Sequence, residues 1–407
     1  ILHTSYLILH LLSPVPSFAD PGPGFESFVP AASTAIPLPS DINERAMRAM
    51  EGIYSLHFDV SDLEFNALTV IYPDHPFGHF GKAITAWARL EYEEEESNPE
   101  LDRLFQKLTD DSLVYGKKWL KTHPDDAYAH ICVGGMYGLR SRLSLMQHRW
   151  IKAYFDGSKA ISHTRKAVKI NPELYDAYLG LGMYEYYAGT LPGVVKILAR
   201  LFLHGDPEKG IAFLKTAKEK GHFNATAAKL LLIEIFTETG SKYSNPGIAL
   251  KWAKELRAAY PHHPMLHFVE IVSLYENGKW ADVRKESQEY LRRIETGEPF
   301  YRNTYLPRAL LALGTSYLAE NRLDRAEEFI RRSARSLKDS THPNRWAVWA
   351  LVRLGHIYDL TGRRDLAVKT YKEALSFKDQ WGFRQYIRKY ISKPCLSSEI
   401  PGQLPPP

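Results

Sequence analysis

Leu354-Gly355-His356-Ile357-Tyr358-Asp359-Leu360-Thr361-Gly362-Arg363-Arg364-Asp365-Leu366-Ala367-Val368-Lys369-Thr370-Tyr371-Lys372-Glu373-Ala374 is the stretch that decides the fold. Its apolar residues recur at helical spacing on both sides of Gly362, so it reads as two helices joined by a tight turn. Gly355 and Ala367 lack bulk where the two antiparallel helices must approach. Tyr358 and Tyr371 are large enough to fill the space between one such pair and the next.

The preceding stretch repeats the arrangement with Leu313-Gly314, Tyr317, Asn321, Ala326, Ile330 and Ser333. Asn321 stands where Gly362 stands later, because Asn also tolerates a left-handed backbone. Gly314 precedes Gly355 by 41 residues. Further upstream, Asn171-Pro172 opens a helix with Tyr178, Leu181-Gly182, Tyr186 and Gly189, and Asp206-Pro207 opens its partner with Gly210, Leu214 and Ala217. His123-Pro124 opens another, with Gly134 and Tyr137; weaker copies are Ala249–Leu256 before Tyr260-Pro261 and Leu266–Leu274 before Asn277-Gly278, and Tyr72-Pro73 with His75-Pro76 marks the first boundary.

Small and aromatic residues in this order resemble the tetratricopeptide repeat, whose period is about 34 residues. The turn Lys338 to Pro343 accounts for the excess between the last two copies. The resemblance implies an all-α, right-handed superhelical solenoid of about eight antiparallel helical hairpins. It extends over residues 42–391, with insertions near 141–156 and 190–205 and a closing helix from Trp381 to Ile391. A non-enzymatic scaffold that binds a protein or peptide segment is the implied function.

In such a solenoid the first helix of each hairpin lines the inner surface. By spacing from each Leu-Gly pair, that surface carries Tyr178, Leu179, Met183, Tyr186 and Tyr187, then Arg308, Leu311 and Thr315, then Trp349, Val352, Arg353 and His356. These positions are largely apolar or aromatic, which suits an extended or helical segment held by aromatic contacts. A clamp for a terminal carboxylate would need Lys, Asn and Arg there.

The flanks read differently. Ile1–Ala19 carries the apolar run Tyr6–Leu12 followed by Ser17 and Ala19, which fits a secretory signal and predicts an exported, periplasmic or secreted protein. Residues 20–41 are rich in Pro, Gly, Ser and Ala and read as a disordered spacer; residues 392–407 read as a disordered tail.

Composition narrows the chemistry. Cys132 and Cys395 are the two cysteines, too few and too far apart for a disulfide framework or a cysteine zinc site. His262, His263 and His267 suggest metal ligands, but His-Pro pairs also open turns at His75-Pro76, His123-Pro124 and His342-Pro343, and a turn role fits better. No phosphate loop or nucleophile elbow is present, so neither a cofactor, a metal nor catalytic residues are expected. The acidic run Glu93–Glu96 reads as a solvated helix end.

Residues 41–120 hold 8 Lys/Arg against 16 Asp/Glu, whereas residues 321–400 hold 17 against 9. That asymmetry could orient a partner. The overall charge of +5 and the acids interleaved with the basic residues argue against nucleic acid. Leu191–Leu203, with Lys196 and Arg200 on an apolar segment, could lie on a membrane surface, although packing within the fold is favoured.

Overall fold

The structure, a computed structural model, describes residues 37–93, 99–147, 149–190, 205–238, 240–338, 344–377 and 383–399. Ile1–Ala19, all but the last residues of the spacer, Glu94–Glu96, Leu191–Leu203, His342-Pro343 and Trp381 lie outside them. The described residues form seventeen α-helices and no strand. They belong to two compact units that meet in sequence at Leu232 and Ile233.

The first unit holds α1 (Ser40–Tyr54), α2 (Phe58–Ile71), α3 (Pro76–Ala88), α4 (Pro99–Thr122), α5 (Ala127–Met146), α6 (Trp150–Ile170), α7 (Ala177–Gly189) and α8 (Pro207–Lys220). α9 (Ala225–Thr237) begins in it and ends in the second unit. The second unit continues with α10 (Pro246–Ala259), α11 (Pro264–Glu276), α12 (Trp280–Glu295), α13 (Leu306–Ala319), α14 (Leu323–Arg335), α15 (Arg345–Leu360), α16 (Arg364–Ser376) and α17 (Phe383–Ser392). From α1 to α8, and again from α10 to α17, each helix packs on the next. Odd-numbered helices also pack on each other, α1 on α3, α3 on α5, α11 on α13 and α13 on α15. Each unit is thus an all-α stack of successive helices, the repeat fold expected from the sequence. Taken in pairs, the described helices give eight hairpins and the closing helix α17.

Local chemistry sets where the helices start. Proline occupies the first turn of α3, α8, α10 and α11, where its missing N–H costs nothing. Asp126, Asp206, Asn245 and Asn344 accept hydrogen bonds from the free amides of α5, α8, α10 and α15. His75 does the same for α3, its ring nitrogen 3.3 Å from the Phe77 amide. His75 and His263 thus open helices through their following prolines, the turn role read from the sequence.

Ends are as legible. Gly278, Asn321 and Gly362 close α11, α13 and α15 with φ of 66°, 57° and 73°. Each left-handed residue lets the next amide return to a carbonyl one turn back, as Arg363 N–H does to Tyr358 at 2.7 Å. The small-for-large packing is also present. A Cβ on Gly355 would lie 2.3 Å from the Tyr371 ring, and one on Gly314 2.4 Å from Ile330.

The stretch 141–156 forms the elongated end of one hairpin: α5 and α6 run for 20 and 21 residues and turn between Met146 and Trp150. Arg140 fastens the added turns by two hydrogen bonds to Asp156, at 2.9 and 2.7 Å, and Ser141 Oγ donates to the Ala153 carbonyl at 2.7 Å. The tail is ordered as far as Glu399, because the buried Asp359 carboxylate accepts from the Cys395 amide at 2.8 Å.

Candidate functional site

The α7–α8 hairpin places the first group of predicted inner-surface residues. Gly182 and Gly210 bring its helices together: a Cβ on Gly210 would lie 2.6 Å from the Tyr186 nitrogen and 2.9 Å from the Gly182 carbonyl. Asp176, at the start of α7, fixes the turn that follows α8. Its carboxylate accepts from the amides of His222, Phe223 and Asn224 at 3.2, 2.8 and 2.8 Å, satisfying the open amides before α9.

Within this frame, Leu179, Met183 and Tyr187 stand four residues apart on one stripe of α7, all half-buried. Tyr186 is buried, 3% exposed, beside the Gly210 crossing, and its ring meets that of Tyr187 edge-on at 5.3 Å. Tyr178 belongs to the hairpin seam instead. Its hydroxyl donates to the Pro172 carbonyl at 3.0 Å, and its ring lies 5.4 Å from Phe213.

The second and third groups sit elsewhere than on an open surface. Arg308, Leu311 and Thr315 on α13, and Trp349, Val352, Arg353 and His356 on α15, are all at most 5% exposed. The Arg308 guanidinium lies over the Tyr305 ring at 4.0 Å, and Thr315 Oγ1 donates to the Leu311 carbonyl at 2.7 Å. α17 covers the α15 residues. Trp349 meets Phe383 and Tyr386 at 6.3 and 5.6 Å, and His356 meets Tyr390 at 4.8 Å. Residues 307–318 and 346–358 are buried without a break, the mark of helices enclosed on every side.

Polar clusters that the sequence reading missed join residues distant along the chain. His267, fully buried on α11, has Nδ1 2.9 Å from the Tyr301 hydroxyl and Nε2 3.3 Å from Glu286, while burial holds its imidazole below its ordinary pKa range. With no exposed surface it offers nothing to a substrate. Asp359 accepts from Arg364 at 2.8 Å, Tyr371 at 2.9 Å and the Cys395 amide. Burial first, and then the Asp359 charge, keeps the Tyr371 phenol protonated far above its ordinary range. His130 and His163 face each other, Nδ1 to Nδ1, at 2.8 Å, and His130 Nε2 lies 3.1 Å from the Pro124 carbonyl. A carbonyl only accepts, so His130 carries its proton on Nε2 and His163 donates from Nδ1. Among the described residues no group of three or more His, Cys, Asp or Glu could hold a metal ion.

The family described as tetratricopeptide repeat matches residues 350–380, which span most of α15 and all of α16. No curated protein matches the chain. Among solved structures, the human IFIT1 dimer with PPP-AAAA shares 13% identity, over 89% of this chain and 84% of that one, at a TM-score of 0.44. The TPR domain of P58(IPK) shares 15%, over 87% and 97%, at a TM-score of 0.26. Superpositions this loose carry no argument. The matched repeat is the hairpin in which Gly355 meets Tyr371 and Gly362 turns the chain, and the same packing recurs at Gly314 against Ile330. The tetratricopeptide match thus covers one hairpin of the chain, and helices packed in succession on their neighbours accompany it on the N-terminal side.

Proposed function

We propose that this protein is a non-catalytic interaction scaffold that holds a segment of another protein against α7. Tetratricopeptide arrays serve generally as protein-binding frames. The observation that carries the placement is the half-buried stripe Leu179, Met183 and Tyr187, since the corresponding helices α13 and α15 are enclosed by their neighbours. An aliphatic, a thioether and an aromatic side chain at that spacing suit an apolar helix or extended strand, with methionine adapting to its shape.

A photo-crosslinking amino acid placed at Met183 in the native cell tests this reading. The expected result is a discrete protein adduct, absent when the same probe replaces the exposed Lys372 on α16. Equal labelling at both positions, or none at Met183, would remove the assignment.

Export through Ile1–Ala19 belongs to the same proposal and rests on the sequence; N-terminal sequencing of the protein from its cell tests it. The membrane reading of Leu191–Leu203 also rests on sequence.

A further inference from the structure

α6 is unusual in what it turns outward. Ile151, Tyr154 and Phe155 are exposed at 63%, 39% and 54%. Residues 151, 155, 158, 162, 166 and 169 follow the helical repeat, so they form one strip along about 27 Å of helix. Its first turns are apolar, Ser158 and Ser162 lie in the middle, and Lys166 and Lys169 finish it, with Lys159 and Arg165 beside it, all exposed. The helix has one carboxylate, Asp156, which is 3% exposed and turned inward onto Arg140. The outward face therefore has an apolar crest at one end, with Lys152 beside Ile151, and is cationic at the other, with no exposed carboxylate anywhere on the helix.

A neighbouring helix adds to the positive end. Lys117 of α4 and Lys159 of α6 each place Nζ 5.2 Å from the centre of the Tyr137 ring. Neither ammonium has a carboxylate partner among the described residues. The Arg140 guanidinium lies over the same ring at 5.2 Å but is already paired with Asp110 and Asp156, so the two lysines are the like charges that an outside anion would relieve. The field also reaches His163, whose pKa is drawn to about 4 by burial first and then by His130, Lys166 and Lys117.

We infer that this face of α6 is a docking surface for an anionic lipid bilayer, with Ile151 and Phe155 entering the headgroup region and Lys159, Lys166 and Lys169 against lipid phosphates. The apolar side chains stand out from the helix crest instead of lining a recess. A bilayer interface deforms around such projections, whereas a peptide would need a recess to exclude water from them. Among the described residues no helix is long and apolar enough to cross a membrane, so the contact is peripheral. The inference is independent of the partner segment placed on α7.

Co-sedimentation of the full chain with vesicles of phosphatidylcholine alone, and of phosphatidylcholine with phosphatidylglycerol, is the test. Binding is expected to the anionic vesicles only and to fall with added salt. Each cation near the surface is worth about fivefold in affinity, so Lys166→Gln with Lys169→Gln should weaken binding about 25-fold. Ile151→Ser with Phe155→Ser should weaken it at least about tenfold. These side chains are exposed, so circular dichroism melting should be unchanged. The charge-matched pair Lys369→Gln and Lys372→Gln on α16 should bind as the parent does. No binding to anionic vesicles, full binding by both α6 variants, or equal loss in the α16 control would overturn the inference. Capture of soluble polyglutamate through Lys166 and Lys169 without vesicle binding would overturn it in favour of an acidic protein segment.

Discussion

Replacing Gly210 with Ala should loosen the hairpin that presents the α7 stripe. The new Cβ would lie 2.6 Å from the Tyr186 nitrogen and 2.9 Å from the Gly182 carbonyl. Both are backbone atoms, so no rotamer change relieves the clash and the helices must part by about 0.8 Å to reach ordinary contact. A gap of that size forfeits a quarter to a half of each dispersion contact across the seam, about 1 kcal/mol for a large buried side chain. Leu181, Tyr186 and Leu214, all at most 3% exposed, face that loss together, about 3 kcal/mol. Alanine returns about 1 kcal/mol of helix propensity, leaving a net cost of about 2 kcal/mol. For a unit of this size the melting midpoint should fall by about 4–8 °C. Thermal melting followed by far-ultraviolet circular dichroism measures it, with Gly247→Ala as the control. There the nearest atom to an added Cβ is 4.0 Å away, so no loss is expected. If Gly210→Ala melts at or above the Gly247→Ala midpoint, the seam does not depend on backbone contact and the reasoning fails.

Further outcomes can be checked independently. Asp359→Ala leaves the buried Tyr371 hydroxyl and Cys395 amide without their acceptor and should cost about 2–4 kcal/mol, seen as faster amide exchange from Cys395 to Glu399. Gly362→Ala forces a Cβ into φ of 73° and should lower the urea midpoint by the equivalent of about 1–2 kcal/mol, whereas Asn321→Gly should leave it unchanged or raise it. His163 has a folded pKa of about 4 against an ordinary 6.5, so the unfolded chain takes up its proton first as pH falls. Its contribution is complete above pH 6.5 and is lost between there and about pH 4, so His163→Gln should flatten the melting profile across that window.

The enclosed faces of α13 and α15 bear on where such scaffolds can work. By their positions in the repeat, Arg308 and Arg353 read as partner-facing cations. Their burial, at 5% and 1% exposure, instead makes them part of the packing between helices. α17 adds to this by laying Phe383, Tyr386 and Tyr390 over α15. We therefore propose the half-buried stripe of α7 and the outward face of α6 as the partner surfaces.

By itself the sequence determined the hairpins. Pro76, Pro207, Pro246 and Pro264 start helices because proline tolerates only the first turn, and Asn321 and Gly362 end them because few residues accept a left-handed backbone. Gly314 and Gly355 announced close helix approach because nothing larger fits there. These are local rules, and local rules are legible in a chain. Tertiary structure alone decided which faces remain accessible. Helical periodicity places Trp349, Arg353 and His356 together but says nothing of what lies opposite, and α17, more than twenty residues onward, supplies their cover. The same holds for His267, Glu286 and Tyr301, which no spacing rule connects. Burial depends on the stacking of elements distant in sequence, so the face a residue shares can be read from the chain while its exposure cannot.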